Sequence, residues 1–147
     1  MFNSDLEKYV DILSIPHFRG VMMRDELPNI PLKRETGILN LNTHDQSGSH
    51  WICWYKHNND RYVFDSFGET PPIELIRYLK TPLEYQNALP VIHRSAVTVQ
   101  HYNSNECGSL CLYMLKQLTN GKTFPKILTE LGKRFTKSPT PPLTINI

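Results

Sequence analysis

The chain has 147 residues, of which 39% are hydrophobic and 20% charged, and this composition fits one globular domain with a buried core. A formal net charge of +2 gives no support by itself for nucleic-acid or membrane binding. The amino-terminal segment MFNSDLEKYVDILSI carries acidic residues and no continuous apolar run, so it predicts neither a signal peptide nor a membrane-spanning helix. The chain has three cysteines, which is an odd and small number for a disulfide framework. We therefore expect free thiols and a reducing location in a cytosol, nucleus or particle, without secretion.

The elements begin with an amphipathic helix over residues 4–14, started by Ser4. The proline- and charge-rich stretch 24–35 predicts a loop. Alternating segments rich in aromatic and β-branched residues predict strands at 36–42, 49–56, 61–68 and 91–100. Further helices are predicted over 72–79, from Cys107 onward, and over 124–135. The predicted fold class is α+β, with a central, mainly antiparallel sheet flanked by helices.

The carboxyl-terminal residues differ in composition from the rest. Pro139, Pro141 and Pro142 favour an extended conformation and oppose helix or strand. We expect a single domain over residues 1–136 and a proline-rich extended tail over 137–147.

A hairpin is predicted around residues 57–60, where a turn signal separates two strands. If its loop has two or four residues, His50 and Asp65 lie on one face of the sheet, directly opposite or one diagonal step apart. Diagonal neighbours have Cβ atoms about 7–8 Å apart or somewhat less, within reach of an imidazole and a carboxylate. An odd-length loop would place the two side chains on opposite faces.

Cys107 stands at the predicted start of a helix, followed by Gly108. Unpaired N–H groups at a helix start can lower a thiol pKa from about 8.5 to roughly 3.5–7.5. A His held by an Asp could deprotonate such a thiol, which is the chemistry of a thiol nucleophile. The Cys107 backbone amide and the Gln100 side chain could form an oxyanion hole, while Gly108 leaves room for a substrate carbonyl. Glu106 opposes this role, because a carboxylate beside the sulfur raises the thiol pKa unless it points to solvent.

Other interpretations of the cysteines remain open at this point. A buried cysteine commonly serves as a small apolar side chain, and Cys107 alone could do so. Cys111, one turn further along the apolar stripe, and Cys53, within an aromatic strand, are predicted to be core residues. A zinc site built from His101, Cys107 and Cys111 is conceivable, but no paired Cys-x-x-Cys supports it. We expect no metal.

The ordered set His50-Trp51, Asp65-Ser66-Phe67-Gly68, Gln100 and Cys107-Gly108 resembles the cysteine peptidases of the adenain and SUMO-protease clan. In that clan the catalytic order along the chain is His, Asp or Glu, Gln, Cys, whereas papain-like enzymes run Gln, Cys, His, Asn. The segments FRGVMMRDELP, GSHWICWYK and VQHYNSNECGSLC are similar to the adenovirus maturation protease. The likeness extends to related proteins of Maverick (Polinton) elements and other DNA viruses. It covers most of positions 5–120.

The resemblance implies a thiol endopeptidase that matures viral capsid or core precursor proteins near small residues, often glycine. It implies His50 as base, Asp65 as orienting acid, Gln100 as oxyanion donor and Cys107 as nucleophile, with Trp51 shaping the site. We expect a protein substrate, a monomer, no membrane partner, and a location in host nucleus, cytoplasm or virion.

Activation and substrate class have alternatives. Adenain is activated by DNA and by a peptide joined through a cysteine; residues 82–99 contain no cysteine, which argues against a covalent peptide, and the charge leaves DNA unsupported. The alternative substrate is a SUMO- or ubiquitin-like tail, since Glu106-Cys107-Gly108 resembles the acidic-Cys-Gly of the SUMO proteases. A second alternative is a non-catalytic binding module that keeps the fold.

Overall fold

The computed structural model describes residues 3–43, 45, 50–81, 90–101 and 104–136. The predicted tail over 137–147 lies outside the described residues. The helices are α1 (Asn3–Ile12), α2 (Ile73–Lys80), α3 (Cys107–Thr119) and α4 (Phe124–Thr136). The strands are β1 (Phe18–Met23), β2 (Arg34–Asn40), β3 (Trp51–His57), β4 (Asp60–Phe64) and β5 (Val91–Arg94). The predicted α+β class is confirmed.

The five strands form one sheet in the order β1-β2-β3-β4-β5. The central pairs β2–β3 and β3–β4 are antiparallel, whereas the outer pairs β1–β2 and β4–β5 are parallel. The sheet is therefore antiparallel at its centre and parallel at both edges. Because β3 and β4 run in opposite directions, the start of β3 and the end of β4 meet at one end of the sheet, where His50 and Asp65 lie.

Helices cover both faces of the sheet. One face packs against α1, α3 and α4 through a large core that includes Leu6, Ile38, Leu110 and Ile127. The other face packs against α2 through a smaller core centred on Trp54. A side chain at position 37 would overlap the Trp54 ring, since a Cβ there would lie 2.1 Å from it, so Gly37 is required. Within the described ranges, no helix combines the length and hydrophobicity needed to cross a membrane.

The structure corrects three parts of the predicted element order. Strand β1 was not predicted, because a bulge between Phe18 and Val21 interrupts the alternation of its short edge strand. The strand predicted over 61–68 ends at Phe64, where a turn begins. The strand predicted over 91–100 ends at Arg94, because the chain then leaves the sheet to bond the main chain of that turn.

A charged cluster is buried on the α2 face of the sheet. The Glu35 carboxylate accepts hydrogen bonds from Arg19, Trp54 Nε1 and the Tyr78 hydroxyl. Its cross-strand neighbour Lys56 is 2% exposed, and its Nζ has no hydrogen-bond partner among the described residues. The pKa of Lys56 is lowered to about 8, chiefly by burial and also by the nearby guanidinium groups of Arg61 and Arg19. The attraction of Glu35 offsets this shift only in part.

Lys56→Met is expected to stabilise the fold by about 1–3 kcal/mol near pH 7, because it removes a buried charge without a hydrogen-bond partner and keeps the side-chain volume. The folded-state pKa of Lys56 lies below its ordinary 10.5. The charged side chain therefore destabilises the fold fully below about pH 8, and this destabilisation fades as the pH rises toward 10.5. The gain in the free energy of unfolding should therefore shrink with rising pH. Urea unfolding of both proteins near pH 7 and near pH 10 checks this. A gain that is absent, or independent of pH, would contradict it.

Candidate active site

The β3–β4 hairpin brings His50 and Asp65 together. His57 pairs with Asp60, so the loop has two residues, one of the two lengths that the prediction left open. Continuing that register places His50 and Asp65 on one face and one diagonal step apart. His50 Nε2 lies 2.7 Å from Asp65 Oδ1, and both side chains are buried. The predicted geometry of this pair is confirmed.

Asp65 is held in place from several directions. Its Oδ1 also accepts a hydrogen bond from the Phe67 backbone N–H at 2.8 Å. The Ser95 hydroxyl donates to the Asp65 carbonyl and accepts from the Asp65 N–H, at 3.0 and 2.9 Å. These contacts fix the backbone and the carboxylate of Asp65, so that its free lone pairs are directed at the imidazole.

The turn after Asp65 requires glycine at position 68. The Gly68 N–H donates to the Asp65 carbonyl at 2.8 Å, and Gly68 has φ +68°. A Cβ there would lie 2.7 Å from the backbone of Val97. The turn and the segment after β5 therefore pack backbone to backbone, which a side chain would prevent.

His50 is oriented by a ring contact as well as by Asp65. The Phe67 ring stacks on the imidazole, with centroids 4.6 Å apart and planes 24° apart. Because Nε2 is engaged by Asp65, Nδ1 is the nitrogen left for Cys107. Burial lowers the pKa of His50, but hydrogen bonds with Asp65 and Cys107 outweigh it and raise the pKa from 6.5 to about 9.

Cys107 is the first residue of α3, and the side chain is buried against the hairpin. Burial alone raises the pKa of the thiol. Hydrogen bonds from the His50 ring and from the backbone N–H groups of Trp51 and Gly108, with the charge of His50, more than reverse this and lower the pKa from its ordinary 9.0. A lowered thiol pKa beside a raised imidazole pKa favours a thiolate–imidazolium pair.

Gln100 has its side-chain amide fixed. Its Oε1 accepts a hydrogen bond from the Ser66 hydroxyl, and its Nε2 donates to the Ser104 carbonyl at 2.9 Å. The Ser66 contact identifies Oε1 as the oxygen of the amide. The Ser104 contact uses one N–H of Nε2, so the second N–H can donate to another acceptor. This arrangement suits the predicted oxyanion donor.

Gln100→Ala is expected to lower peptide turnover by about 10²–10³-fold, the usual cost of one oxyanion donor. The pKa of Cys107 should stay nearly unchanged, because the Gln100 amide is uncharged and is held by Ser66 and Ser104. Steady-state kinetics and the pH dependence of Cys107 alkylation measure the two quantities. A loss below tenfold would contradict the role of oxyanion donor.

The structure also gives the positions of the other residues that the sequence analysis named near Cys107. Trp51 and Gly108 are buried, and their backbone N–H groups bond the Cys107 sulfur. Cys53 and Cys111 are buried core residues without a disulfide, as predicted. Burial raises the pKa of Cys111 well above 9.0, which separates it chemically from Cys107. Within the ranges described above, no group of three His, Cys, Asp or Glu side chains could hold a metal.

A cavity of about 410 Å³ opens beside the predicted oxyanion donor. Its lining residues come from the turn after β4, the segment before α3 and the end of α4: Phe67, Glu69, Thr98, Gln100, His101 and Phe135. Of the four predicted catalytic residues, only Gln100 lines this cavity.

Sequence reasoning missed the residues that support the site. Ser66 belongs to a quoted motif, but nothing in the sequence pairs it with Gln100, 34 positions away. Ser95 reaches Asp65 across 30 positions, and Arg134 reaches Glu106 across 28. Each contact depends on tertiary packing, and no local pattern marks it.

Comparison with known proteins bears on the fold. No protein-family profile and no curated protein sequence matches the chain. A crystal structure of the ASFV pS273R protease, from African swine fever virus, matches with a TM-score of 0.59 at 14% identity, covering 92% of this chain and 65% of that one. Its selenomethionine form matches with a TM-score of 0.47 at 18% identity, covering 73% and 44%. This chain thus spans less than two thirds of the length of those structures, and it shares the fold of the ASFV pS273R protease.

Proposed function

We propose that the chain is a thiol endopeptidase that cleaves capsid or core precursor proteins of a DNA virus or virus-like element. The observation that carries the proposal is the contact of one thiol with an aspartate-held histidine at the start of a helix, with the thiol pKa lowered and the histidine pKa raised. The shared fold of a viral cysteine protease supports it independently. The motif likeness to adenain supports the maturation of precursors in an infected cell or virion.

The arrangement supports a two-step hydrolysis. The Cys107 thiolate attacks the scissile carbonyl, and the resulting oxyanion is bound by the Cys107 backbone N–H and the Gln100 amide. The His50 imidazolium then gives its proton to the leaving amine, which departs and leaves a thioester. Neutral His50 next deprotonates a water that attacks the thioester, so the thiolate leaves and the ion pair is restored. Asp65 stabilises the imidazolium in both steps.

Substrate preference at the cleaved bond is proposed to be a small residue, chiefly glycine. The Cys107 side chain is only 8% exposed, with the Trp51 backbone beside its sulfur and Phe67 stacked on its partner His50. A glycine carbonyl can approach such a buried sulfur without a side chain to accommodate. Cleavage of a ubiquitin-like tail is the second candidate, because such tails also end in glycine and Glu106-Cys107-Gly108 resembles the acidic-Cys-Gly of the SUMO proteases.

Electrophilic peptides test the proposal directly. A short peptide with glycine before a vinyl sulfone should modify Cys107 once per molecule, located by peptide mapping. The same peptide with leucine in place of glycine should react at least about tenfold more slowly, which corresponds to about 1.4 kcal/mol. Cys53 and Cys111 serve as internal controls, since both are fully buried thiols.

The outcomes separate the candidates. Labelling of Cys107 by the short peptide supports an endopeptidase, whereas labelling only by a probe made from a complete ubiquitin-like protein favours tail processing. No labelling of Cys107 by either probe in the folded protein contradicts catalysis and favours a binding module that keeps the fold.

A further inference from the structure

Glu106 places a carboxylate directly before the proposed nucleophile, and this carboxylate has a charged partner on α4. The Arg134 guanidinium on α4 donates two hydrogen bonds to it, at 2.7 and 3.4 Å. The side chains are 24% and 16% exposed, so solvent screens this pair only in part. Contact of two nitrogens with two oxygens fixes the orientation of the carboxylate as well as its charge.

We infer that Arg134 is a positioning residue of the active site, which holds the Glu106 carboxylate away from the Cys107 sulfur and neutralises it. This inference rests on the proposed function, because it assigns a purpose to a thiolate at Cys107. It explains how an acidic residue can precede the nucleophile without suppressing its ionisation.

The geometry at the start of α3 supports this assignment. Glu106 occupies the N-cap position, directly before the helix that Cys107 begins. Here Glu106 makes no side-chain cap hydrogen bond. The N–H of Gly108, in that first turn, bonds the Cys107 sulfur instead. The Glu106 carboxylate is thus bound by Arg134 on α4 and not by the first turn of α3.

Phe135, the residue after Arg134 on α4, contacts the chain on the Gln100 side of the site. Phe135 packs against the His101 ring, with centroids 4.7 Å apart, and His101 follows Gln100 directly. Consecutive residues of α4 therefore contact the chain just after the oxyanion donor and just before the nucleophile. Helix α4 therefore supports the chain at His101 and at Glu106.

Several charged or titratable groups act on Cys107 or lie close to it, and the test must separate them. They are His50 before β3, Asp65 after β4, Cys111 one turn along α3, and the Glu106–Arg134 pair. His50 and Asp65 belong to the proposed catalytic set and Cys111 belongs to the core, so the Glu106–Arg134 pair is the one that can be altered without removing a catalytic or a core side chain.

The pH dependence of iodoacetamide alkylation at Cys107 provides the test, measured on the full chain by peptide mapping. Arg134→Gln is expected to raise the apparent pKa of Cys107 by about one unit, and so to slow alkylation about tenfold on the acid side. Arg134→Lys should recover most of the rate. The double variant Glu106→Gln with Arg134→Gln should return close to wild type, since no carboxylate is left to neutralise.

A matched control comes from another ion pair of α4. Lys122→Gln removes the 3.0 Å contact with Glu130, in the α3–α4 region but away from Cys107, and should leave the alkylation profile unchanged. Urea unfolding shows whether each variant remains folded. A double variant as slow as Arg134→Gln alone would mean that Arg134 acts by packing, and an unchanged profile in Arg134→Gln would also overturn the inference.

This readout does not depend on peptide cleavage. If wild-type Cys107 alkylates as an acidic thiol and responds to these variants but cleaves no peptide, the proposed function fails and the electrostatic role of Arg134 stands. If peptides are cleaved and the double variant shows no rescue, the function stands and the inference fails.

Discussion

His50→Ala is expected to lower peptide turnover by about 10⁴-fold or more, since it removes the group that ionises the thiol and protonates the leaving amine. The pKa of Cys107 should rise from its lowered value toward or above 9.0, because a hydrogen bond and a charge that favour the thiolate are lost while burial remains. Steady-state kinetics and the alkylation rate of Cys107 near pH 7 measure the two effects. Both should fall together.

The chain offers a matched control for this substitution. His93 of β5 also contacts an aspartate, Asp60, at 3.2 Å, but this pair is exposed and lies at the far end of the hairpin. His93→Ala should keep turnover within about twofold of wild type, as expected for an exposed pair of little energetic weight. If His50→Ala retained more than one percent of the wild-type turnover, or left alkylation unchanged, His50 would not be the base.

Asp65→Asn is expected to reduce turnover by about 10⁴-fold, the size seen when an aspartate that orients a catalytic histidine is replaced by its amide. The amide can still accept from the Phe67 N–H, so the turn should survive. It cannot stabilise the imidazolium by charge, and the pKa of His50 should fall from about 9. The alkaline limb of the pH–rate profile should therefore move to lower pH.

The sign of that shift follows from the raised pKa of His50. The wild-type ion pair exists above the lowered pKa of Cys107 and is lost as the pH rises through about 9, where His50 deprotonates. Asp60→Asn is the control, because it alters the exposed pair and leaves both limbs in place. An alkaline limb that stays near pH 9 in Asp65→Asn would contradict the role of Asp65.

The geometry of the proposed catalytic pair could be predicted from the sequence because local rules determine it. A two-residue turn fixes strand register, and register alone places His50 one diagonal step from Asp65. The helix beginning at Cys107 and the burial of Cys111 follow from apolar spacing.

The remaining features depend on contacts between distant segments. Strand β1 pairs in parallel with β2 at the edge of the sheet, and its bulge hides the alternation that would mark it. Ser95 ends β5 early because its hydroxyl bonds the Asp65 main chain. The neutralisation of Glu106 by Arg134 requires the packing of α4, which residue spacing alone cannot supply.

The central claim is that Cys107 is the nucleophile of an endopeptidase. Its most direct test is the cleavage of a Gly-X peptide library and of candidate capsid precursors, each with and without DNA, by wild type, Cys107→Ala and Cys111→Ala. We expect cleavage after glycine by the wild type and by any folded Cys111→Ala, with no cleavage by Cys107→Ala under any condition. Equal cleavage by wild type and Cys107→Ala would contradict it.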